Sequence, residues 1–280
     1  MGNSRNSYLI KNTMIFTLGN LGSKLISFFL IPLYTNALTT TEYGVVDLIA
    51  TVGTVAVPVL TLNICESVMR FALDKDANKD KITQIGTNLL LIGMVVGLVI
   101  FPICHSFNRI SQYSAFVYFY VISLAASQLY LCDLRGKELL VYYSIGNVLH
   151  TFFIAALNIL FLVVFKGGIE GYLNAYIIAN ILTATYALIM GKGYRSFSFS
   201  GVDKKLLQRM IKYSIVLIPN SFMWWIMNSS DRVMVSSMVG IAANGIYAVS
   251  YKLPTLVSTL TTIFNQAWSY SAIREEGTED

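Results

Sequence analysis

Charged residues are scarce in this chain. Asp, Glu, Lys and Arg make up 12% of the 280 residues and 55% of the residues are hydrophobic, whereas a soluble domain usually has about 25% charged residues. The apolar residues form many runs of about 20 residues, the length at which a helix crosses a bilayer. This combination excludes a soluble enzyme, a secreted disulfide scaffold, a disordered chain and a protein held by a single anchor. It predicts an all-α polytopic membrane protein.

Cysteine and histidine are scarce too. Cys65, Cys104 and Cys132 lie far apart in or beside apolar runs without CxxC spacing, so we interpret them as helix-packing residues and expect neither a disulfide framework nor a zinc site. His105 and His150 have no neighbouring metal-ligand residues, which favours an interfacial or packing role for each. The sequence contains no nucleophile and base pair, no Walker loop and no metal motif, so we expect no cofactor.

Eight apolar segments are long enough to cross a bilayer core of about 30 Å. They cover residues 10–38, 44–71, 82–107, 113–134, 138–165, 168–190, 211–239 and 241–270. Lys and Arg in the connecting loops indicate the orientation, because they are retained on the cytoplasmic side. Fifteen of them lie on the side of the N-terminus and two, Arg109 and Lys166, on the other. We therefore expect the chain in the cytoplasmic (inner) membrane, with its N-terminus in the cytoplasm.

The net charge of +5 follows from this orientation, because the basic residues are spread over short loops, and no nucleic-acid partner is expected. We divide the chain into a six-helix lobe (1–190), a basic linker (191–212) and the start of a second lobe (213–280). The linker ends in an amphipathic segment that we expect on the inner leaflet, either as a positive-inside anchor or as a lipid-recognition site. Its basic residues are Lys204, Lys205, Arg209 and Lys212.

The first two predicted helices recur after a shift of 201 residues. The shift superposes the turn glycines Gly44 and Gly245 without a gap. It also aligns polar stripes whose spacing of three and four residues places each on one helix face. The stripes of helices two and eight are Asp47, Thr51, Thr54, Pro58, Thr61 and Cys65, and Ala248, Lys252, Thr255, Thr259, Thr262 and Gln266. Those of helices one and seven are Asn20, Lys24, Ser27, Ile31 and Thr35, and Ser221, Trp225, Asn228, Arg232 and Ser236.

Parallel repeats of this kind are a transporter architecture in which the substrate binds between the two halves. For a single Thr or Ser, an ordinary helix contact is the simpler interpretation, but four aligned stripes favour the repeat. The second copy supplies two of about six helices, so we expect this chain to be the N-terminal part of a longer protein.

Three basic residues lie within predicted helices, each on a repeated stripe: Lys24, Arg232 and Lys252. A base at bilayer depth costs roughly 2.5–3.5 kcal/mol on insertion scales, so it needs a water-filled cavity or an anionic partner. We predict that these residues line a cationic cavity between the lobes and bind phosphate. Alternatively, Arg232 and Lys252 lie near the membrane edge and extend to water. The other predicted site residues are Asp231, as the resting counter-ion of Arg232, and Asn20, Asn228 and Gln266.

Glycine and tryptophan give two further expectations. Gly93 and Gly97 form a GxxxG motif, which is typical of closely packed membrane helices. Six residues could stack on or hydrogen-bond sugars, although an aromatic belt at the membrane surface is the default interpretation for Trp and Tyr: Trp224, Trp225, Asn228, Tyr251, Gln266 and Trp268.

Five short motifs stand out on the predicted helices. They are Asn20-Leu-Gly-Ser-Lys24, Ile31-Pro-Leu-Tyr34, Thr41-Glu-Tyr-Gly44, Asp231-Arg-Val-Met234 and Gly245-Ile-Tyr-Ala-Val-Ser-Tyr-Lys252. These motifs resemble those of the polysaccharide-export and O-antigen flippases of the multidrug/oligosaccharidyl-lipid/polysaccharide exporter superfamily. The resemblance covers essentially the whole chain. It implies a two-lobe flippase that moves a polyprenyl-pyrophosphate-linked oligosaccharide, from O-antigen, capsule or exopolysaccharide synthesis, to the outer leaflet by alternating access. It also implies the lipid bilayer, a polysaccharide polymerase and glycosyltransferases as partners.

The alternatives to a flippase are a drug exporter, a membrane-embedded enzyme and a structural protein. A drug exporter of the same superfamily would handle organic cations and would favour carboxylates over bases inside the membrane. A membrane-embedded enzyme that modifies lipid-linked sugars would need clustered carboxylates or histidines, whereas Glu66, Asp133, Glu138 and Glu170 are scattered in sequence. A purely structural assembly partner is a further alternative. We expect a transporter and not an enzyme.

Overall fold

The computed structural model describes residues 26–74, 76–105, 111–198, 201–255, 257–258 and 261. Within these ranges 88% of the residues are helical and none lies in a strand, which confirms the all-α prediction. The α-helices of the described ranges are α1 (Ile31–Ala37), α2 (Thr40–Leu60), α3 (Ile64–Ala72), α4 (Lys79–His105), α5 (Ser114–Gly136), α6 (Leu140–Asn158), α7 (Gly168–Met190), α8 (Lys204–Met238) and α9 (Ile241–Ser250). A π-helical turn, Ile159–Val164, extends α6.

Five of these helices are long and apolar enough to cross a membrane: α2, α4, α5, α6 with its extension, and α7. Their outer faces expose large apolar side chains such as Val99 (72%) and Val164 (64%). A soluble protein rarely exposes apolar surface on this scale, whereas a bilayer requires it. The chain is therefore a multi-pass membrane protein. Parts of the predicted spans 10–38, 82–107 and 241–270 lie outside the described residues.

The predicted span 44–71 is wrong as a single helix, because the structure divides it into α2 and α3. A capping box fixes the start of α2: Thr39 Oγ1 accepts from the Glu42 backbone N–H (3.2 Å), and Glu42 Oε2 accepts from the Thr39 backbone N–H (2.8 Å). The helix contains Pro58 and ends at Leu60. Leu62 and Asn63 then adopt positive φ, a backbone conformation that interrupts a right-handed helix.

The basic segment before the seventh predicted span also differs from the prediction. It is not a separate surface helix, because α8 runs without interruption over 35 residues from Lys204, a length of about 52 Å. Asp203 caps the helix by accepting from the backbone N–H groups of Leu206 (3.1 Å) and Lys205 (3.0 Å). The bond from Leu206, and to a smaller extent the bond from Lys205, lowers the pKa of Asp203. The apolar face of the segment packs inward, since Leu206 and Met210 belong to the core.

Close contacts between helices hold the rest of the chain together. A Cβ atom on Gly93 would lie 2.5 Å from the backbone oxygen of Leu60, and one on Gly97 would lie 3.2 Å from the Tyr118 ring, so the GxxxG motif packs as predicted. His150 has the packing role expected of it, since its Nε2 lies 2.9 Å from Asn180 Oδ1. The side chain of His105 lies outside the described residues.

The expectation that no disulfide forms is wrong. Cys65, in the first turn of α3, is bonded to Cys132 on α5, and their Cα atoms are 5.8 Å apart. The two residues are 67 positions apart, and only the packing of α3 on α5 brings them together. The bond ties the short helix α3 to one of the long membrane helices.

We expect Cys65→Ser to release α3 from α5 and to lower the thermal midpoint, because a disulfide usually stabilises a fold by about 2–4 kcal/mol. The pairing is measured by maleimide labelling of the denatured chain in a Cys104→Ser background. No thiol should react before reduction and two should react after it. Labelling of both cysteines without reduction would contradict the bond, and the Cys104→Ser chain alone is the stability control.

Candidate functional site

The repeated polar stripes meet where α2 and α3 pack against α8. Trp225 Nε1 donates to the Thr51 carbonyl (3.0 Å), so the stripe of the second predicted helix faces the stripe of the seventh. Asn63 Nδ2 donates to Ser221 Oγ at 3.2 Å. These two hydrogen bonds cross the contact at different positions along α8. The interface is therefore polar, whereas the outer surface of the chain is apolar.

The aligned turn glycines form the contact between α2 and α9. A Cβ atom on Gly44 would clash with the backbone oxygen of Ile241, and one on Gly245 would clash with the backbone oxygen of Thr40. The shift of 201 residues pairs position 40 with 241 and position 44 with 245, so each contact is the repeat equivalent of the other. We call these four residues the glycine crossing. Their reciprocal contacts are those expected of two units related by a two-fold axis.

Arg232 on α8 lies beside this crossing, and its guanidinium pairs with the Asp47 carboxylate on α2. Asn244 on α9 donates from Nδ2 to Asp47 Oδ2 (3.3 Å) and to the Gly44 carbonyl (3.3 Å). The side chains of Asp47 and Arg232 are 8% and 17% exposed, so the ion pair is largely shielded from solvent. The guanidinium carbon also lies 5.4 Å from the centre of the Tyr251 ring, within the range of a cation–π contact.

Asp231 is not the counter-ion of Arg232, contrary to prediction. Its carboxylate accepts from the backbone N–H of Arg232 (2.9 Å) and from the Tyr247 hydroxyl. Adjacent residues of a helix do not face each other, so the Arg232 side chain extends to the neighbouring repeat unit instead. We call this set of side chains the charged cluster: Asp47, Asp231, Arg232, Asn244, Tyr247 and Tyr251.

The structure places the other predicted site residues as follows. Lys252 follows α9 and interacts electrostatically with Asp47, so it belongs beside the charged cluster. Asn228 does not join it, because its Nδ2 donates to the Trp224 carbonyl one turn earlier (2.7 Å) and its side chain is exposed. The predicted residues Asn20, Lys24 and Gln266 lie outside the described residues.

A polar cavity of about 510 Å³ lies between α2, α3, α5 and α8, at the break between α2 and α3. Such breaks in membrane helices are tolerated where they line a cavity. The residues of its wall include four from the predicted stripe of the second span, Thr54, Pro58, Thr61 and Cys65. The wall also includes polar residues that the sequence analysis did not assign to the site: Asn63, Glu66, Gln128 and Asn220.

The partners of the charged-cluster residues are not predictable from helical periodicity, because they lie on other helices far away in the sequence. Asp47 was identified on its stripe, but its ion pair spans 185 positions. Asn244 is absent from the predicted site, although its amide lies beside the aligned Gly245 in an apolar span and is a signal visible in the sequence. Of the carboxylates considered for an enzyme, Glu66 lines the cavity. Asp133 is instead bound to Lys137 Nζ (2.7 Å) and Thr83 Oγ1 (2.5 Å) elsewhere in the fold.

Residues 9–270 match the family model described as polysaccharide biosynthesis protein. The chain belongs to this family. The assignment confirms the resemblance seen in the sequence motifs. No curated protein sequence matches the chain.

Three solved structures similar to this chain are transporters of the MOP superfamily. An inward-facing multidrug resistance MATE family transporter superposes with a TM-score of 0.57 and 15% identity, over 91% of this chain and 63% of that one. An outward-facing MATE transporter has a TM-score of 0.49 and 15% identity, over 90% and 66%. A MOP superfamily transporter from Pyrococcus furiosus has a TM-score of 0.42 and 16% identity, over 90% and 66%. The chain thus shares the fold of the inward-facing MATE transporter and spans 63% of the length of that structure.

Proposed function

We propose that this chain forms part of a flippase that moves a polyprenyl-pyrophosphate-linked oligosaccharide across the cytoplasmic membrane by alternating access, without making or breaking a covalent bond. The observation that supports it best is Arg232, a base at the interface of the two repeat units whose partner Asp47 belongs to the other unit. The family assignment and the transporter fold agree with this function. Fifteen basic residues on the side of the N-terminus against two on the other side support an orientation with the N-terminus in the cytoplasm.

The ion pair suggests how binding and movement are coupled. A pyrophosphate offers Arg232 the planar, bidentate contact that a guanidinium prefers, so the substrate can replace Asp47 as its partner. Asp47 would keep its bond to Asn244 and its interaction with Lys252. The exchange removes a direct bond between α2 and α8. Substrate binding would therefore weaken the contact between the repeat units and permit their relative movement.

A drug exporter is the second candidate, because the interface contains carboxylates as well as bases. Asp47 is buried at the repeat interface and Glu66 lines the polar cavity. An organic cation bound there would compete with Arg232 for Asp47. The two candidates therefore predict opposite roles for Arg232: a ligand for the anionic substrate, or a competitor of the cationic one.

Binding to the purified chain in detergent distinguishes the two candidates. We expect a short-chain prenyl pyrophosphate bearing glucose to bind, and Arg232→Gln to weaken it at least about tenfold, the effect of losing roughly 1.4 kcal/mol. Ethidium, a cationic drug probe, should not compete. Arg195→Gln is the matched control, since Arg195 is exposed outside the interface. Tight ethidium binding with unchanged pyrophosphate affinity in Arg232→Gln would favour the drug exporter.

A further inference from the structure

The polar cavity differs in chemistry from the charged cluster. Glu66 is the charged residue of its wall, and no Lys or Arg lines it among the described residues. Asn63, Gln128 and Asn220 add amide groups, and Trp224 adds an aromatic ring. The cavity is therefore acidic and rich in hydrogen-bonding groups, whereas the charged cluster contains the base suited to phosphate.

Gln128 gives the cavity wall a side-chain amide with free hydrogen-bonding capacity. It is exposed in the middle of α5, between Ser127 and Leu129, which are both buried. Within the described part of the chain, neither its side-chain amide nor that of Asn220 makes a hydrogen bond. An unsatisfied amide in a membrane helix is costly unless it faces water or a polar ligand. Both side chains line the cavity, so their free hydrogen-bonding capacity is available to whatever occupies it.

Trp224 gives the same wall an aromatic surface. Its side chain is 58% exposed and lies among the amides, so an apolar face and hydrogen-bonding groups border one space. Ligand sites combine apolar and aromatic surface with a few placed polar groups in this way. Trp224 and Arg232 are eight residues apart on α8, a separation of roughly 12 Å along the helix. A single ligand with an anionic end and a sugar end can therefore reach both places.

We propose that the polar cavity is a saccharide site that accepts neutral and amino sugars and rejects sugar acids. This inference rests on the proposed flippase function and adds the charge class of the sugar. Glu66 repels a sugar carboxylate and attracts a sugar ammonium, and the wall has no described base to offset it. Exposed charges interact weakly across water, but a concave wall that carries charge of one sign concentrates its field, so Glu66 selects more strongly here than a carboxylate on a convex surface would.

The test compares three probes that differ in one group: short-chain prenyl pyrophosphates bearing glucose, glucosamine or glucuronic acid. Their affinities are measured by titration calorimetry with the purified chain. We expect the glucuronic acid probe to bind about tenfold more weakly than the glucose probe, and the glucosamine probe to bind at least as tightly as glucose. In Glu66→Gln the three affinities should converge. Glu138→Gln is the matched control, because Glu138 is exposed in the loop between α5 and α6.

The outcomes separate the two proposals. Equal affinities for all three probes in the native chain, unchanged by Glu66→Gln, would overturn the saccharide site while leaving pyrophosphate binding intact. Absence of binding by any probe would overturn the flippase function itself. A Trp224→Phe variant adds an independent readout: it should weaken the glucose probe without altering the affinity of the same prenyl pyrophosphate lacking a sugar.

Discussion

Gly245→Leu is expected to prevent α9 from packing against α2. The new Cβ atom would lie well inside van der Waals distance of the Thr40 backbone oxygen, and a backbone atom in a helix cannot move aside as a flexible side chain can. Overpacking a tight contact typically costs 1–3 kcal/mol, and we expect the upper end of about 3 kcal/mol here. Thermal unfolding of the detergent-purified chain measures the loss as a lowered midpoint.

Ala242→Leu is the control for this substitution, because Ala242 is exposed on the same helix and can accept a larger side chain. Gly44→Leu should be as harmful as Gly245→Leu, since its Cβ atom would meet the Ile241 backbone oxygen in the equivalent contact. Combining the two should cost less than their sum, because they disrupt one shared contact. A native midpoint in Gly245→Leu would show that α2 and α9 do not touch through these glycines.

Arg232→Ala is expected to be strongly destabilising because it leaves the buried carboxylate of Asp47 without its guanidinium partner. Removing one member of a buried ion pair costs about 3–5 kcal/mol, whereas replacing both members with apolar residues is often neutral or stabilising. We therefore expect Asp47→Leu combined with Arg232→Met to recover most of the stability lost in Arg232→Ala. The double variant should still fail to bind prenyl pyrophosphate, since the ligand for the phosphate is gone.

A double-mutant cycle measures the coupling between Asp47 and Arg232 from the thermal midpoints of the native chain, Asp47→Leu, Arg232→Met and the double variant. The control is the ion pair between Arg70 and Asp74, in which Nη1 lies 2.6 Å from Oδ1 and each side chain is 54% exposed. Arg70→Ala should change the thermal midpoint little, because exposed ion pairs contribute little to stability. Additive effects of the single Asp47 and Arg232 substitutions would contradict the pairing. Full prenyl pyrophosphate binding by the double variant would instead show that Arg232 has a structural role alone.

Helical periodicity explains what the sequence made predictable. Residues three and four apart share a helix face, so the stripe with Asp47 and Thr51 and the stripe with Trp225 and Arg232 were visible without coordinates. Their contact follows because polar faces in a membrane protein pack against each other or line water. The aligned glycines were likewise visible, and they mark the closest approach of α2 and α9.

Features that depend on backbone conformation or on distant residues were not predictable in the same way. The positive φ angles of Leu62 and Asn63 interrupt a segment whose apolar pattern is continuous. The partner of Arg232 was assigned to its neighbour Asp231, although the side chain reaches Asp47 on another helix. Gln128 gave no periodic signal, since one exposed amide in an apolar helix becomes informative only when the cavity beside it is known.

We expect the glycine crossing to act as a pivot of the interface between the repeat units. Backbones that touch without intervening side chains can rotate against each other with little repacking, and α8 ends at Met238, next to this point. The helix is then a lever of about 52 Å, and a rotation of about 10° would move its far end by roughly 9 Å. Trp224, nearer the pivot, would move by about 4 Å. A small turn at the glycines would therefore widen the polar cavity moderately and displace the basic end of α8 by more than twice as much.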